Sequence, residues 1–444
     1  MPGVGARPTL GQGPADDRWP TVDWRIARSR RPAPTRTGGP VPLDPFFADR
    51  LRTHRAYLVR STLQGFAKSR GWPWLSRLAV KIAPPPATPR PQGSAAPSAA
   101  ASEKSGVGTA VTQGQSPGST QKEPAKKTAP AKPKKKPKKK PTRAAHRKAA
   151  IAWDAKELAA VGQAGPDVRI EEHTVAVAGR PDVRVRIYYP ELVGDPQQDD
   201  PRSVPATLAF YGGGFRIGGI DYPTTDAGFR LRAVDAGIAV VAVDYALAPE
   251  HKFPTAVEQG VAALGWLADN AEGLGIDPAR LAISGISAGG NIAASVALAN
   301  RDGRNVPLRL QLLEVPVVDL TGRHIDFAPT RAMGVPTIFA IREMRSVART
   351  YLRESADAKN PLASPLLAGS HAGLPPAHIL TAEFDALRGE GAAYGAKIRD
   401  AGGEATVVRY LGMTHDTPVF LGAVPAARRW HRDVVTALRT LHGD

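Results

Sequence analysis

The chain has 444 residues, of which 42% are hydrophobic, enough for one large domain with additional segments or for two or three small domains. It contains no cysteine, which excludes disulfides, thiolate metal sites and a cysteine nucleophile. Its net charge of +18 is unevenly distributed, since residues 1–150 hold 30 Lys and Arg against 7 Asp and Glu, and the rest of the chain holds 29 against 34. The basic excess therefore belongs to the first third, which would attract polyanions, and the remainder has the charge of an ordinary, mildly acidic globular domain.

Targeting signals are not apparent in the sequence. The first 30 residues contain Pro, Gly, Asp and Arg and no apolar run of the length that a signal peptide needs. No stretch of 18 apolar residues occurs, so we expect no transmembrane helix. We therefore expect a cytoplasmic protein, and the sequence leaves open whether it is peripheral to a membrane.

The segment 44–82 is the first part of the chain with apolar periodicity. Residues 1–43 before it are polar, rich in Pro and Gly and aperiodic, which predicts disorder. Within 44–82, arginines surround a set of apolar positions that fall roughly on one helical face: Phe47, Leu51, Leu58 and Phe66. We expect one or two helices here. Two interpretations stay open: the helices pack on the main domain as part of a cap, or they lie on an anionic membrane surface.

Residues 83–148 are of low complexity, rich in Pro, Ala and Ser and then in Lys at Lys132–Lys140. Repulsion between the lysines and the geometry of proline prevent a packed core, so we predict a disordered linker. The alternative is a loose clamp for a polyanion, nucleic acid or anionic lipid, held by salt-dependent attraction that does not read sequence. No aromatic residue lies between these lysines, which argues against base stacking.

From residue 149 onward, short apolar runs alternate with helical stretches. The strand-like runs are Val168–Val177, Val183–Tyr189, Ala206–Tyr211, Ile238–Asp244, Leu281–Ser284, Leu308–Glu314, His378–Glu383 and Ala405–Tyr410. The helical stretches are Thr225–Asp235, Thr255–Asn270, Ser287–Asn300, Gly389–Ala401 and Val424–Leu441. This alternation predicts an α/β domain over 149–444, with an eight-stranded, mostly parallel sheet covered by helices on both faces. Functional residues of such sheets lie at the carboxyl ends of the strands.

A G-x-S-x-G pentapeptide lies between an apolar strand and an Ala-rich helix, with Ser287 at its centre and Gly285 and Gly289 two residues away on either side. Small residues at these positions allow a tight turn that exposes the serine hydroxyl above the sheet. The pentapeptide alone is common, and a plain Gly/Ser helix cap is the alternative. Its position after a strand favours a nucleophile.

A run of glycines, Gly212–Gly214, follows an upstream strand between Tyr211 and Phe215. Backbone N–H groups in such a run can converge on one cavity and hold an oxyanion, with the N–H of Ala288 as the expected partner. A mobile loop or a phosphate cradle are the alternatives. A P-loop is disfavoured because no Lys-Ser/Thr pair follows.

An acidic residue and a histidine follow the last two predicted strands. Asp385 lies in the loop after one strand, and His415 lies in the loop before the terminal helix. Glu383 competes with Asp385, but it still belongs to the strand end, where we expect a structural role. The order Ser287, Asp385, His415 is the chain order of an α/β-hydrolase triad.

These residue types predict a serine hydrolase. Neutral His415 would take the proton of Ser287, because a free serine is a weak nucleophile at neutral pH. Asp385 would hold the imidazole tautomer and stabilise the imidazolium. Such chemistry needs no metal and no organic cofactor.

Several motifs together resemble the hormone-sensitive-lipase branch of the α/β-hydrolases, the bacterial esterase group. They cover about residues 150–444 and comprise Tyr211–Phe215, Asp244–His251 with Pro254, Gly285–Asn291, Ser364–Leu366, Gly373–Pro376, Ala382–Leu387 and Gly412–His415. The resemblance implies hydrolysis of carboxylic esters without a cofactor. It also implies a helical cap built from about 149–165, with the role of 44–82 open, and from an insertion at about 320–355.

The resemblance also assigns roles to individual positions. It implies oxyanion donors at Gly213, Gly214 and Ala288, and we expect substrate contacts from Tyr211, Phe215 and Ile286. Three positions depart from the family pattern: Tyr211 stands where histidine is usual, Ile286 where Asp or Thr is common, and Asp416 adds a charge beside the histidine.

The sequence therefore predicts a carboxylesterase for small or medium acyl esters. One alternative is a non-catalytic binding protein of the same fold, tethered to nucleic acid or an anionic membrane by its basic tail. Another is an amide or deacetylation hydrolase with the same triad. The sequence leaves open whether the chain forms a homodimer.

Overall fold

Eight strands form a single sheet in the order β1-β2-β4-β3-β5-β6-β7-β8. Their bounds are β1 Val168–Val175, β2 Val183–Leu192, β3 Val204–Phe210, β4 Ala239–Asp244, β5 Ile276–Ile286, β6 Leu310–Glu314, β7 Ala377–Phe384 and β8 Ala405–Thr414. Strand β2 is antiparallel to both of its neighbours, and the other pairs are parallel. The predicted α/β class with a mostly parallel eight-stranded sheet is confirmed.

The computed structural model describes residues 41–51, 143–192 and 203–443, all within one structural unit. The predictions for 1–40, for 52–82 and for the tract Lys132–Lys140 lie outside these residues. Among the helices that are described, none combines the length and apolar character needed to cross a bilayer.

The central strands are apolar because helices cover both faces of the sheet. Strands β4 and β6 are buried along almost their whole length. The helices are α1 (residues 45–51), α2 Arg143–Val161, α3 Pro223–Ala236, α4 Thr255–Asn270, α5 Ala288–Asp302, α6 Ala328–Ala332, α7 Thr337–Tyr351, α8 Arg388–Asp400 and α9 Pro425–Arg439. One face carries α4, α5 and α8, and the other carries α3 and α9. The buried apolar residues form two clusters, and α3 contributes to both.

The α/β domain begins earlier in the chain than the sequence predicts. Helix α2 starts at Arg143, so residues 143–148, expected in the linker, are helical. Their Arg147 is anchored, because its guanidinium donates to the carbonyl oxygens of Arg216 at 3.1 Å and Ala248 at 3.2 Å. Alanine-rich, charged sequence resembles a linker in composition, but here tertiary contacts stabilise a helix.

Four parallel strands end at the same edge of the sheet, immediately before the residues of interest. Strand β3 ends at Phe210, β5 at Ile286, β7 at Phe384 and β8 at Thr414. The next residues along the chain are Tyr211, Ser287, Asp385 and His415. Carboxyl ends of parallel strands share one edge, so the fold itself brings these four loops together.

Candidate active site

Ser287 occupies a strained turn between β5 and α5. Its backbone has φ 55° and ψ −113°, a conformation that costs a non-glycine residue of the order of 1–3 kcal/mol. The turn is closed by Gly285 and Gly289, since a Cβ on Gly285 would overlap the carbonyl of Gly289, and one on Gly289 would overlap the carbonyl oxygen of Phe210. The glycines therefore allow the strand and helix to approach closely enough to expose the hydroxyl.

Three side chains from separate loops converge at this turn. The Nε2 atom of His415 lies 2.9 Å from Ser287 Oγ, and its Nδ1 atom lies 2.8 Å from Asp385 Oδ2. The second oxygen of Asp385 accepts a hydrogen bond from the backbone N–H of Leu387 at 3.0 Å, which fixes the buried carboxylate. An Nδ1–H directed at Asp385 leaves Nε2 as the acceptor for the serine proton.

The electrostatics of His415 depend on two carboxylates. Burial disfavours the charged imidazolium, but the charge of Asp385, its hydrogen bond and the charge of Asp416 outweigh this effect. The net result raises the pKa of His415 to about 9. At neutral pH the charged imidazolium is therefore favoured. The neutral imidazole becomes the main form only when the pH exceeds this pKa.

Glu383 points to a different partner. Its carboxylate accepts a hydrogen bond from the backbone N–H of Gly412 at 2.7 Å. This contact ties the end of β7 to β8, three residues before His415. The histidine thus meets Asp385 and not the neighbouring glutamate.

The glycine loop lies against the serine turn. Gly213 has φ 138° and Gly214 has φ 58°, values that favour glycine. A Cβ added to Gly212 would lie 3.6 Å from Ser287 Cβ, so the loop passes directly beside the serine. Among the described residues, no backbone carbonyl accepts a hydrogen bond from the amides of Gly213 or Gly214.

A cavity of about 560 Å³ opens above these groups. Its wall includes Ser287, Asp385 and His415, the glycine loop and Ile286. Helices from both predicted cap segments add to it: α2 through Trp153 and Leu158, and α7 of the 320–355 insertion through Met344 and Val347. The volume falls within the range typical of pockets for small organic ligands.

Several known proteins with similar sequences and structures are esterases. A family model described as the alpha/beta hydrolase fold matches residues 207–419. Carboxylesterase NlhH of Mycobacterium tuberculosis is 37% identical over 284 residues, covering 62% of this chain and 84% of the relative. Esterase LipI of the same organism is 36% identical over 281 residues, covering 63% and 84%.

Solved structures agree with these relatives. EstE1, a thermophilic and thermostable carboxylesterase cloned from a metagenomic library, has a TM-score of 0.61 at 37% identity, covering 68% of this chain and 98% of that one. An esterase of Pyrobaculum calidifontis has a TM-score of 0.59 at 32% identity, covering 68% and 94%. The chain belongs to the hormone-sensitive-lipase-like branch of the α/β-hydrolases. It is a carboxylesterase-type hydrolase.

Tyr211, which replaces the usual histidine of this branch, supports the glycine loop from below. Its buried hydroxyl donates to the carbonyl oxygen of Tyr245 at 3.1 Å, and the Tyr245 hydroxyl donates to that of Tyr211 at 2.9 Å. The two rings stack with centroids 4.3 Å apart. The phenol hydroxyl therefore points into the protein, although the residue forms part of the cavity wall.

The expectation that Phe215 contacts substrate needs correction. Its backbone has φ 61°, which turns the side chain beneath the loop, where its ring stacks on Tyr351 with centroids 3.7 Å apart. The ring is buried and is not part of the cavity wall. Phe215 instead fastens the glycine loop of this α/β-hydrolase to helix α7.

A buried charged pair, of which Arg232 lines the cavity, was not expected from the sequence. Arg232 on α3 forms an ion pair with Glu314 at the end of β6. In the sequence, each of the two residues looks like an ordinary polar residue of a helix or strand end. No local sequence pattern therefore predicts that they form a pair. Within the described residues, no group of three or more His, Asp or Glu side chains is arranged to hold a metal ion.

Proposed function

We propose that Ser287, His415 and Asp385 form a catalytic triad that hydrolyses carboxylic esters through an acyl-enzyme. The observation that carries this proposal is the chain of two contacts, 2.9 Å from serine to histidine and 2.8 Å from histidine to aspartate. Both distances lie within the reach that proton transfer requires. The strained turn at Ser287 supports the same role, because strain at an exposed hydroxyl is typical of a nucleophile.

The reaction proceeds in two balanced halves. Ser287 Oγ attacks the ester carbonyl while its proton passes to His415 Nε2, and the imidazolium then protonates the leaving alcohol as the C–O bond breaks. Water next gives a proton to His415 and attacks the acyl-enzyme, and the serine leaves with that proton. Asp385 keeps the imidazole oriented and stabilises its positive charge in both halves.

The anionic intermediate would be held by the amides of Gly213, Gly214 and Ala288. The proximity of the glycine loop to Ser287 supports this role, as does the start of helix α5 at Ala288, whose N-terminal amides point towards the serine end. Removing one such donor typically lowers kcat by about 100- to 1,000-fold.

Short- to medium-chain acyl esters fit the cavity best. Helices α2 and α7 contribute part of the wall beside the serine, as a cap would, and so limit the room for an acyl chain. Apolar side chains such as Leu158, Met344 and Val347 suit a hydrocarbon chain of limited length.

The test is the hydrolysis of chromogenic esters of rising chain length by the wild type and by Ser287→Ala. The matched control is Ser295→Ala, a buried serine on the same helix, outside the cavity wall. We expect turnover to collapse in S287A, to persist in S295A and to peak at short or medium chains. Equal turnover by S287A and the wild type would refute the triad.

A parallel set of anilides separates ester from amide hydrolysis. Amide cleavage by the same triad requires His415 to protonate a far more basic leaving group. We expect esters to be strongly preferred. Faster turnover of the anilides would assign the site to amides instead.

A further inference from the structure

Arg232, which lines the active-site cavity, forms an ion pair with Glu314. The guanidinium Nη2 of Arg232 is 2.6 Å from Glu314 Oε1, and these residues are only 8% and 0% exposed. Arg232 nevertheless reaches the cavity that also contains Ser287. A charged group in such a place requires an explanation, because an apolar pair of similar size is often at least as stable.

The pair is fixed relative to the nucleophile. The backbone carbonyl of Glu314 accepts a hydrogen bond from the N–H of Ser287 at 2.8 Å. Its carboxylate accepts another from Trp430 Nε1 at 2.7 Å. Glu314 thus contacts Ser287 through its backbone carbonyl and Arg232 through its carboxylate, and both Ser287 and Arg232 line the same cavity.

The guanidinium of Arg232 has N–H groups that make no hydrogen bond within the described protein. A guanidinium carries five N–H groups. Among the described residues, Glu314 is its one ion-pair partner, and no side chain or carbonyl accepts a hydrogen bond from its N–H groups. Its nitrogens are not fully enclosed, and Arg232 lines the cavity, so its N–H groups are available to a ligand there.

The surroundings favour an uncharged ligand group. Glu314 already balances the charge of Arg232, and Asp385 and Asp416 add negative charge to the same cavity. Neighbouring His431 holds Asp235 at 2.7 Å, and its burial, with the nearby Arg232, lowers its pKa. A substrate carboxylate would therefore find no net positive charge.

We propose that Arg232 is a specificity residue that donates a hydrogen bond to an uncharged acceptor oxygen of the substrate, remote from the scissile ester. The acceptor class is a ketone, ether or hydroxyl oxygen. The physiological ester would then be an oxygenated one and not a plain hydrocarbon ester. This inference rests on the proposed ester hydrolysis at Ser287.

The test compares pairs of esters with matched shapes. Nitrophenyl levulinate and its next two longer keto homologues are each paired with the branched hydrocarbon isostere, beginning with nitrophenyl isocaproate. Methoxyethyl acetate and butyl acetate test an oxygen on the alcohol side. For each pair, the wild-type ratio of kcat/KM is divided by the ratio of the alkaline hydrolysis rates, which removes intrinsic reactivity.

The informative variant is the double substitution R232M/E314Q. It removes both charges together, leaves no lone buried charge and keeps an acceptor for Trp430. The control R216M/E343Q removes another arginine–glutamate pair, which lies at the cavity edge with its glutamate exposed. We expect the oxygen preference to fall about tenfold or more in the first variant, the factor for one hydrogen bond to a charged group, and to persist in the control.

Failure of the role proposed for Arg232 can be told apart from failure of the proposed ester hydrolysis. A corrected wild-type ratio at or below one in every pair overturns the assignment without any variant. So does a ratio that R232M/E314Q leaves unchanged or that R216M/E343Q lowers equally. If S287A hydrolyses these esters as fast as the wild type, the proposed function itself fails.

Discussion

Asp416 gives His415 a second acidic neighbour, beyond the Asp385 to which it is hydrogen-bonded. Both carboxylates contribute to a pKa of about 9 for the histidine. The general base must be neutral, so kcat/KM should rise with pH through this value and level off above it. The Asp416→Asn variant should level off at lower pH, because one stabilising charge is gone.

The measurement is the pH dependence of kcat/KM for an ester that does not ionise. Glu343→Gln serves as the control, since it removes an exposed carboxylate from another part of the cavity wall. Identical midpoints for the wild type and D416N would contradict the role assigned to Asp416.

Gly289 is a second residue-scale test, because its lack of a side chain closes the serine turn. A Cβ there would overlap the carbonyl oxygens of Phe210 and Tyr211, which are backbone atoms that cannot move aside alone. We expect Gly289→Ala to destabilise the fold by about 2 kcal/mol or more and to abolish most activity. Gly273→Ala, with no atom within 4 Å of its added Cβ, should keep both activity and stability. Thermal unfolding and turnover of the two variants provide the comparison, and equal behaviour would count against the close-approach argument.

At the scale of elements, residues 44–47 pack against the segment 412–420, which contains His415. The rings of Phe46 and Phe47 on α1 pack against Phe420, with centroids 5.3 and 5.1 Å away. The N–H of Asp44 donates to the carbonyl of Gly412 at 3.1 Å, next to the contact made by Glu383. Of the two interpretations of 44–82, the described residues of this segment pack on the main domain.

The Phe47→Ala variant tests this packing. Loss of a buried ring should cost about 3 kcal/mol or more and let the loop around His415 open more often. We expect faster hydrogen–deuterium exchange over residues 411–424, unchanged exchange in β5 and a lower kcat. Val41→Ala, at an exposed position of the same segment, should change none of these. Unaltered exchange in F47A would contradict the proposal that α1 stabilises the loop around His415.

The sequence predicts those elements whose residues form a pattern within a short stretch of the chain. The strands and the triad order were readable because apolar runs and strand-end residues recur along the chain. Strand β5 is longer than predicted, Ile276–Ile286 against Leu281–Ser284, because Asp277 and Pro278 mask a pairing that only the neighbouring strand reveals. The direction of Phe215 depends on one positive φ, and the Arg232–Glu314 pair joins residues 82 positions apart. Neither leaves a local pattern.

At the scale of the whole molecule, the basic part of the sequence precedes Arg143, the residue at which helix α2 begins. The proposed polyanion contact through Lys132–Lys140 lies outside the described residues and stays a prediction. Deletion of 83–142 should leave ester turnover within about twofold and lower the salt needed for release from heparin, because the lysines are lost.

Extending the deletion to 148 gives a control for the boundary. It removes Arg147, which holds the carbonyls of Arg216 and Ala248 beside the glycine loop and pairs with Glu250 at 2.8 Å. Turnover should then fall severalfold or more, with heparin release as in the shorter deletion. If both deletion variants bind heparin as the full chain does, the proposed polyanion contact is refuted. If the two variants turn over esters equally, residues 143–148 of α2 are not needed for activity.

Labelling with a fluorophosphonate tests the central claim most directly. This reagent forms a stable covalent bond with a serine that a neighbouring base activates. Intact-mass and peptide mass spectrometry should find one equivalent on Ser287, none in S287A, and much slower labelling in His415→Ala. A label on another residue, or an unlabelled wild type that still hydrolyses esters, would contradict the account.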